Sequence, residues 1–255
     1  MAATIIAVAN RKGGVGKTTT TINTGAALVL QGARVLLIDA DPQYNLTRSL
    51  HVSAASTLYQ VLQGGRLEPV EVDGLDVVAG SEDLAYMEVA LAQEADGRQR
   101  LKAALDKVAG KYDYILVDCP PGLGLLTINA FTAADYVLAP LQAEYLAVQG
   151  LTDLVTLIEQ VRGGLNTRLR LAGVLLTRYD ARPLLARKVK ADTTAYLEQY
   201  GSGRLYDTTI RQNIAAAEAP AFGKDLYHYA PDSKAAADYT AFARELVEDL
   251  KKIQG

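Results

Sequence analysis

The sequence predicts an α/β fold in which a mostly parallel, doubly wound sheet is flanked by helices. Short apolar runs alternate with longer segments of helical periodicity, and polar residues follow directly after several of the apolar runs. This alternation is typical of a parallel sheet covered by helices on both faces. No connecting segment is long, proline-rich or low in complexity, so we expect one domain over residues 1–255.

The pattern divides the chain into six strands and seven helices. The predicted strands are 4–9, 34–39, 75–79, 112–118, 135–140 and 170–177. The predicted helices are 17–31, 56–63, 82–107, 124–134, 147–162, 185–200 and 232–253. Polar motifs follow the strands that end at 9, 39, 118 and 177, and ligands in such sheets bind beyond the carboxyl ends of the strands.

Composition excludes several classes of protein. The net charge of −3 and pI near 5.5 argue against a chain that binds nucleic acid over its whole surface. The single cysteine, Cys119, cannot form an internal disulfide or supply a structural metal site alone. Residues 4–9 are too short for a signal sequence, and no apolar run reaches the roughly 18 residues of a membrane span. We therefore expect a soluble, cytoplasmic protein.

A phosphate-binding loop follows the first strand. Its residues are Lys12, Gly13, Gly14, Val15, Gly16, Lys17, Thr18 and Thr19. The glycines let successive backbone N–H groups face an anion, and the helix that begins near Lys17 points its positive dipole end at the same place. Lys17 is expected to reach the β- and γ-phosphates, Thr18 to bind Mg²⁺ and Thr19 to contact a phosphate oxygen. The loop predicts a P-loop NTPase with ATP and Mg²⁺ as cofactors, although Arg11 stands where the usual pattern begins with glycine.

Carboxylates end two further strands. Asp39 and Asp41 leave the strand 34–39 one residue apart, a spacing that suits a metal and water site. Asp118 ends the strand 112–118 in a Walker B pattern, whose aspartate typically holds Mg²⁺ through water. The segment Cys119-Pro-Pro-Gly122 cannot continue the strand and predicts a switch loop.

Lys12 adds a second lysine to the loop. This resembles the deviant Walker A motif of a superfamily that includes the ParA partition ATPases, MinD, the nitrogenase iron protein, the arsenite-pump ATPase and bacterial tyrosine kinases. In these relatives the extra lysine acts across a dimer interface on the partner's nucleotide, like an arginine finger, whose contribution to rate is roughly 10³–10⁵. The resemblance implies that ATP joins two copies of this chain into a homodimer.

Further motifs narrow the resemblance to the ParA family and extend it over nearly the whole chain. They are Asp39–Asn45, Asp118–Gly122, Pro140–Tyr145 with Gly150, Gly173–Arg182 and Glu218–Lys224. By this resemblance Asp41 positions the attacking water, Asp39 and Asp118 serve Mg²⁺ through water, and Thr177 and Arg178 lie against adenine. Together with Lys12 and Lys17, Asp41 forms the implied catalytic set. Tyr44 stands where the family has a glycine.

A basic segment is the candidate DNA-binding surface. Five cations fall within residues 178–190 and are opposed there only by Asp180: Arg178, Arg182, Arg187, Lys188 and Lys190. Five phosphate contacts would cost roughly several hundredfold in affinity between 50 and 200 mM salt. We expect non-specific backbone binding, because no helix-turn-helix or basic zipper pattern is evident. The resemblance singles out Arg182, whereas Ala215 replaces a second basic residue that the family often has.

The resemblance implies a weak, Mg-dependent ATPase that acts in partition. The ATP-bound dimer binds DNA on the nucleoid, and hydrolysis stimulated by a ParB-like adaptor releases it. Two alternatives stay open, a ParA-like positioning ATPase for another cargo and a small-molecule ligase or kinase on the same fold.

Membrane, redox and kinase functions of the superfamily are less well matched. The C-terminal stripe of Tyr239, Phe242, Leu246, Leu250 and Ile253 has a polar face of mixed charge, which favours docking on the sheet over binding to lipid. One cysteine is too few for the iron protein's shared cluster, and the C-terminal tyrosines are scattered rather than gathered in a tail.

Overall fold

A computed structural model describes residues 2–254. It contains a sheet of seven strands in the order β3-β4-β2-β5-β1-β6-β7. The strands are β1 (Thr4–Val8), β2 (Val35–Asp39), β3 (Val70–Val72), β4 (Leu75–Val78), β5 (Tyr114–Asp118), β6 (Tyr136–Gln142) and β7 (Arg170–Thr177). All neighbouring pairs are parallel except β3 with β4, so the predicted α/β class with a mostly parallel sheet is confirmed.

Helices cover both faces of the sheet. The first half of the chain contributes α1 (Lys17–Leu30), α2 (Asn45–Ser49), α3 (Leu58–Leu62), α4 (Leu84–Ala92), α5 (Arg100–Leu105) and α6 (Leu125–Ala133). The second half contributes α7 (Ala147–Arg162), α8 (Leu184–Tyr200), α9 (Ile214–Glu218), α10 (Leu226–Tyr229) and α11 (Lys234–Gln254). One apolar core lies under α3 to α8, and two smaller cores lie under α1, α2, α10 and α11 on the opposite face.

The central strands are buried on both sides. Every residue of β2 and β6 is buried, as expected for a parallel sheet between two helix layers. The register between β2 and β5 sets Asp39 directly beside Asp118. The parallel pairing therefore brings the carboxyl ends of β1, β2 and β5 to one edge of the sheet, where the phosphate loop begins.

One predicted helix differs from the structure, and four short elements of the structure were not predicted. The predicted helix 82–107 is two helices, α4 and α5, because the chain turns at Gly97, where a Cβ atom would lie 1.9 Å from the Leu91 carbonyl oxygen. The strand β3 was missed because it has only three residues at the sheet edge. The short helices α2, α9 and α10 were also missed, since five or fewer residues carry no readable periodicity.

The C-terminal helix α11 packs on the sheet, as its apolar stripe predicted. Tyr239, Phe242, Leu246 and Leu250 are buried in the core that also contains β1 and β7 residues. The Tyr239 hydroxyl lies 3.2 Å from Thr20 Oγ1, which ties α11 to the helix after the phosphate loop. Within residues 2–254, no helix is both long and apolar enough to cross a membrane.

Candidate functional site

The phosphate loop wraps around the start of α1. Gly14 and Gly16 have φ values of 75° and 88°, a backbone region that favours glycine. Lys17 is 6% exposed, and its Nζ donates to the Lys12 carbonyl oxygen at 3.3 Å across the loop. Burial lowers the pKa of Lys17, and the nearby Asp118 carboxylate opposes that shift. The loop is a concave, cation-bearing cradle for an anion.

Side chains from two other strands hold this cradle in place. The Gln142 amide donates to the Gly14 carbonyl oxygen at 3.0 Å, and the Thr177 hydroxyl donates to the Val15 carbonyl oxygen at 2.7 Å. Asn10 accepts from the Lys12 N–H at 3.0 Å. These contacts hold the loop in place. Asn10 was not among the predicted residues, and Gln142 lies in the motif Pro140–Tyr145, for which no role was predicted.

Lys12 points away from its own phosphate loop. Its Nζ forms an ion pair with Glu144, and the neighbouring Arg11 forms one with Asp153 on α7. The side chains of Lys12 and Glu144 are each 53% exposed. Exposed ion pairs contribute only about 0 to 1 kcal/mol, so Lys12 is available to another anion at small cost.

The strand-end carboxylates gather beneath the loop. Thr18 donates its hydroxyl to Asp118 Oδ2 at 2.6 Å. Asp39 Oδ2 accepts from both the N–H and the hydroxyl of Thr47, at 2.8 and 2.7 Å. Hydroxyl and carboxylate oxygens are the donors that Mg²⁺ prefers, so Thr18 with Asp39 and Asp118 fits that ion. Thr47 was not predicted, because its contact depends on the short helix α2.

Burial disfavours the charged form of the two strand-end aspartates, Asp39 and Asp118. Desolvation raises the pKa of Asp39 to about 6, against the stabilising hydrogen bonds from Thr47. Desolvation and the charge of Asp39 raise the pKa of Asp118 well above its usual value. Two adjacent buried carboxylates therefore cost free energy in the chain alone, and a bound cation would offset this cost.

We expect the variant Asp118→Asn to be more stable than the parent when no nucleotide is present. The change removes one of two adjacent buried charges and keeps an oxygen that accepts from Thr18, so the free energy of unfolding should rise by about 1 to 2 kcal/mol. For a chain of this size the melting temperature should rise by about 2 to 6 °C. Differential scanning calorimetry of the parent, Asp118→Asn and the control Asp76→Asn measures this. Asp76 also accepts a hydrogen bond, from the Tyr112 hydroxyl, but it is only half-buried, on β4. A lower melting temperature for Asp118→Asn would contradict the expectation.

Asp41 follows the end of β2 by two residues. It is 6% exposed, and its Oδ1 accepts from the Gln43 N–H at 2.9 Å. Burial raises the pKa of Asp41, while the charge of Lys17 lowers it. Tyr44 begins the next helix with φ +40°, in the left-handed region that glycine adopts at less cost. The segment from Asp41 to Tyr44 is thus held in a turn directly after the buried strand β2.

A cleft of about 450 Å³ adjoins the phosphate loop. It lies between Gly14, Gly16 and Thr19 of the loop, Thr177 and Arg178 at the end of β7, and the segment from 210 to 217. Arg178 has φ +49°, and the next residue, Tyr179, donates its N–H to the Ile210 carbonyl oxygen at 2.9 Å. The structure therefore places Thr177 and Arg178, the predicted adenine contacts, beside the phosphate loop and adds the segment 210–217, which was not among the predicted nucleotide contacts.

The basic segment lies at the start of α8 and is partly neutralised. Both Asp180 oxygens accept from Arg182, which holds the pKa of Asp180 down to about 2. Lys188 pairs with Asp192 at 3.3 Å, and Lys190 Nζ lies 5.8 Å from the centre of the Tyr179 ring. Arg187 is exposed and, within residues 2–254, has no ion-pair partner. The surface is basic, but Arg182, the DNA contact that the resemblance singles out, already forms an ion pair with Asp180.

Known proteins resemble this chain over nearly all of its length. A family model described as AAA domain matches residues 3–171. The chromosome partitioning protein ParA of Caulobacter vibrioides is 45% identical over 95% of this chain and 93% of that protein. The chromosome-partitioning ATPase Soj of Thermus thermophilus is 45% identical over 97% of this chain and 96% of that protein. The crystal structure of cobyrinic acid a,c-diamide synthase from Mycobacterium smegmatis, with bound ATP analog and magnesium, has a TM-score of 0.83 and 37% identity and covers 98% of this chain and 96% of its own.

Proposed function

This chain belongs to the ParA/Soj family of chromosome-partitioning ATPases, and we propose from that premise that it is a nucleotide-switched partition ATPase. ATP with Mg²⁺ joins two copies into a dimer, the dimer binds DNA without sequence preference, and hydrolysis stimulated by a ParB-like partner releases it. The relatives support the partition role, and the solved structure with an ATP analog and magnesium supports the cofactors. The ATP-bound dimer thus stays on the DNA of the nucleoid until ATP is hydrolysed.

The observation that carries the proposal is the position of Lys12. A lysine that serves its own nucleotide would turn into the phosphate loop, as Lys17 does. Lys12 instead lies on the rim, in an exposed ion pair with Glu144 that an incoming phosphate can replace. This geometry suits a cation that completes the site of a second chain.

Within each chain, the residues divide the work of binding and hydrolysis. The N–H groups of the loop and Lys17 hold the phosphates, and Thr18 with Asp39 and Asp118 holds Mg²⁺, the aspartates through water. When bound there, Mg²⁺ would supply charge neutralisation for the phosphates. Asp41 orients the attacking water and accepts its proton. Thr177 and Arg178 border the cleft that takes the adenosine part of ATP.

Binding of arbitrary DNA tests the proposal. We expect the parent with ATP, but not with ADP, to bind a duplex of random sequence and to lose affinity steeply between 50 and 200 mM salt. The double variant Arg187→Ala/Lys190→Ala should lower the salt slope by about 2 per protomer, because it removes two phosphate contacts. Asp180→Asn should raise the affinity for DNA, since it releases Arg182 from its ion pair.

Fluorescence anisotropy of a labelled duplex measures each of these affinities. The double variant Lys251→Ala/Lys252→Ala is the matched control, because it removes two exposed lysines from a different helix. Absence of ATP-dependent DNA binding by the parent would refute the partition role. It would favour the second candidate, a small-molecule ligase, which the likeness to a diamide synthase supports. A ParA-like positioning ATPase for another cargo would share the DNA binding and differ only in its partner.

A further inference from the structure

The outer face of α4 is apolar and exposed. The only charged residue in this nine-residue helix is Glu88, and its inward side chains Leu84, Met87 and Leu91 are buried in the core. On the outside, Tyr86 is 71% and Val89 64% exposed. The other outward residues are Ala85, Ala90 and Ala92. A helix that is apolar all round is ordinarily covered all round, so this face lacks a partner in the chain alone.

The one charged side chain of α4 connects this helix to the start of α6. Glu88 accepts from the N–H groups of Leu125 and Leu126 at 2.7 and 3.1 Å, and so caps the start of α6. Gly124 leaves room for this contact, since a Cβ atom there would lie 2.7 Å from Glu88 Oε1. Since α6 starts directly after the loop 119–124 that follows Asp118, Glu88 links α4 to the end of that loop.

The charge around α4 indicates what the face binds. Residues 67–97 contain nine aspartates and glutamates and no lysine or arginine. Glu82 and Asp83 flank the start of α4, and within the described residues 2–254 neither forms an ion pair, whereas Glu94 and Asp96 at its other end pair with Arg100. An acidic surround repels DNA and anionic membranes, and it disfavours the same face of a second copy.

We propose that the outer face of α4 is a docking surface for a basic amphipathic segment of an activating partner protein. The segment covers Tyr86 and Val89 with apolar side chains and places lysine or arginine beside Glu82 and Asp83. Docking moves Glu88 away from α6 and frees the loop 119–124. This inference rests on the proposed stimulation of hydrolysis by a partner and adds where on the chain that partner acts.

A synthetic peptide tests the surface without nucleotide. The probe is a fluorescein-labelled peptide of about 18 residues. Its leucines recur at i, i+3, i+4 and i+7, so that they form one face of a helix, and its lysines occupy the other face. We expect anisotropy to report binding to the parent and an affinity lower by about tenfold or more for Tyr86→Ser/Val89→Ser. The matched control is Leu30→Ser, which removes an equally exposed apolar side chain on α1, on the opposite face of the sheet. Equal affinity of parent and double variant, equal binding of a peptide with glutamate in place of lysine, or binding of anionic vesicles through Tyr86 and Val89 would overturn the proposal.

Hydrogen–deuterium exchange tests the connection to α6. Saturating peptide should speed exchange at the Leu125 and Leu126 amides of the parent by about tenfold, since each would lose its carboxylate acceptor. Glu88→Ala should reproduce that increase without peptide and bind the peptide as the parent does. Unchanged exchange at both amides on peptide binding would overturn the coupling. Because neither measurement uses ATP, an inactive ATPase or a failure to bind DNA would not alter these results.

Discussion

Replacing Lys12 with alanine should reduce ATP turnover by about 10³-fold or more while each chain still binds nucleotide. A cation supplied in trans to a phosphoryl-transfer site contributes roughly 10³–10⁵ to the rate. Lys12 is placed for such a role, because its side chain leaves its own loop and pairs with Glu144 on the surface. Lys17 and the loop amides that hold the phosphates are unchanged in this variant, so nucleotide affinity of the single chain should change little.

Two measurements separate dimerisation from chemistry. Light scattering with a non-hydrolysable ATP analogue should show a dimer for the parent and a monomer for Lys12→Ala, and phosphate release gives the rate. Arg11→Ala is the matched control, because it removes the adjacent exposed ion pair with Asp153 and leaves Lys12 intact. If Lys12→Ala dimerised and hydrolysed ATP like the parent, Lys12 would not act across the interface.

The sequence predicted those parts of the site that lie within one strand and the loop after it. The phosphate loop needs only β1, its glycines and the start of α1, and all are contiguous. Asp39 and Asp118 were each predicted as the aspartate that ends a strand, and the resemblance assigned both to Mg²⁺. The register of β2 with β5 sets them side by side. The register of a parallel sheet thus brings residues that end separate strands into one site.

The contacts that were missed join residues far apart in the chain. Glu144 lies 132 residues from Lys12, and Glu88 lies 37 and 38 residues from the amides it caps. Neither contact follows from spacing, since each depends on how a helix is placed over the sheet. The division between α4 and α5 was missed for a similar reason, because apolar residues continue at helical spacing on both sides of the turn at Gly97.

The structure also changes the interpretation of the basic segment, because it shows the ion pairs of its residues. The sequence analysis set Asp180 against all five cations of the basic segment, whereas the structure pairs it specifically with Arg182, two residues away. An exposed pair of this kind is worth about 1 kcal/mol or less, so DNA phosphate can compete for the guanidinium. The resemblance to the family and the ion pair are therefore compatible, and Asp180→Asn measures the cost of that competition.

The variant Asp41→Ala should trap the ATP-bound state. Positioning a water and accepting its proton contributes typically 10²–10⁴ to a rate, so ATP turnover should fall by about that factor. Nucleotide binding should persist, because Asp41 makes its hydrogen bond to Gln43 rather than to the phosphate loop. The ATP-bound dimer should then accumulate and remain on DNA.

A gel shift with this hydrolysis-blocked variant provides the clearest separation of the candidate functions. We expect a shifted complex with ATP, none with ADP, and loss of the complex as salt rises. Asp207→Ala, which removes a 92% exposed carboxylate that pairs with Arg204, should behave like the parent. A partition ATPase stalled before hydrolysis has to be held on DNA, whereas a ligase stalled at the same step has no reason to bind it. Absence of a shift with Asp41→Ala and ATP would therefore refute the partition role even if ATP binding were intact.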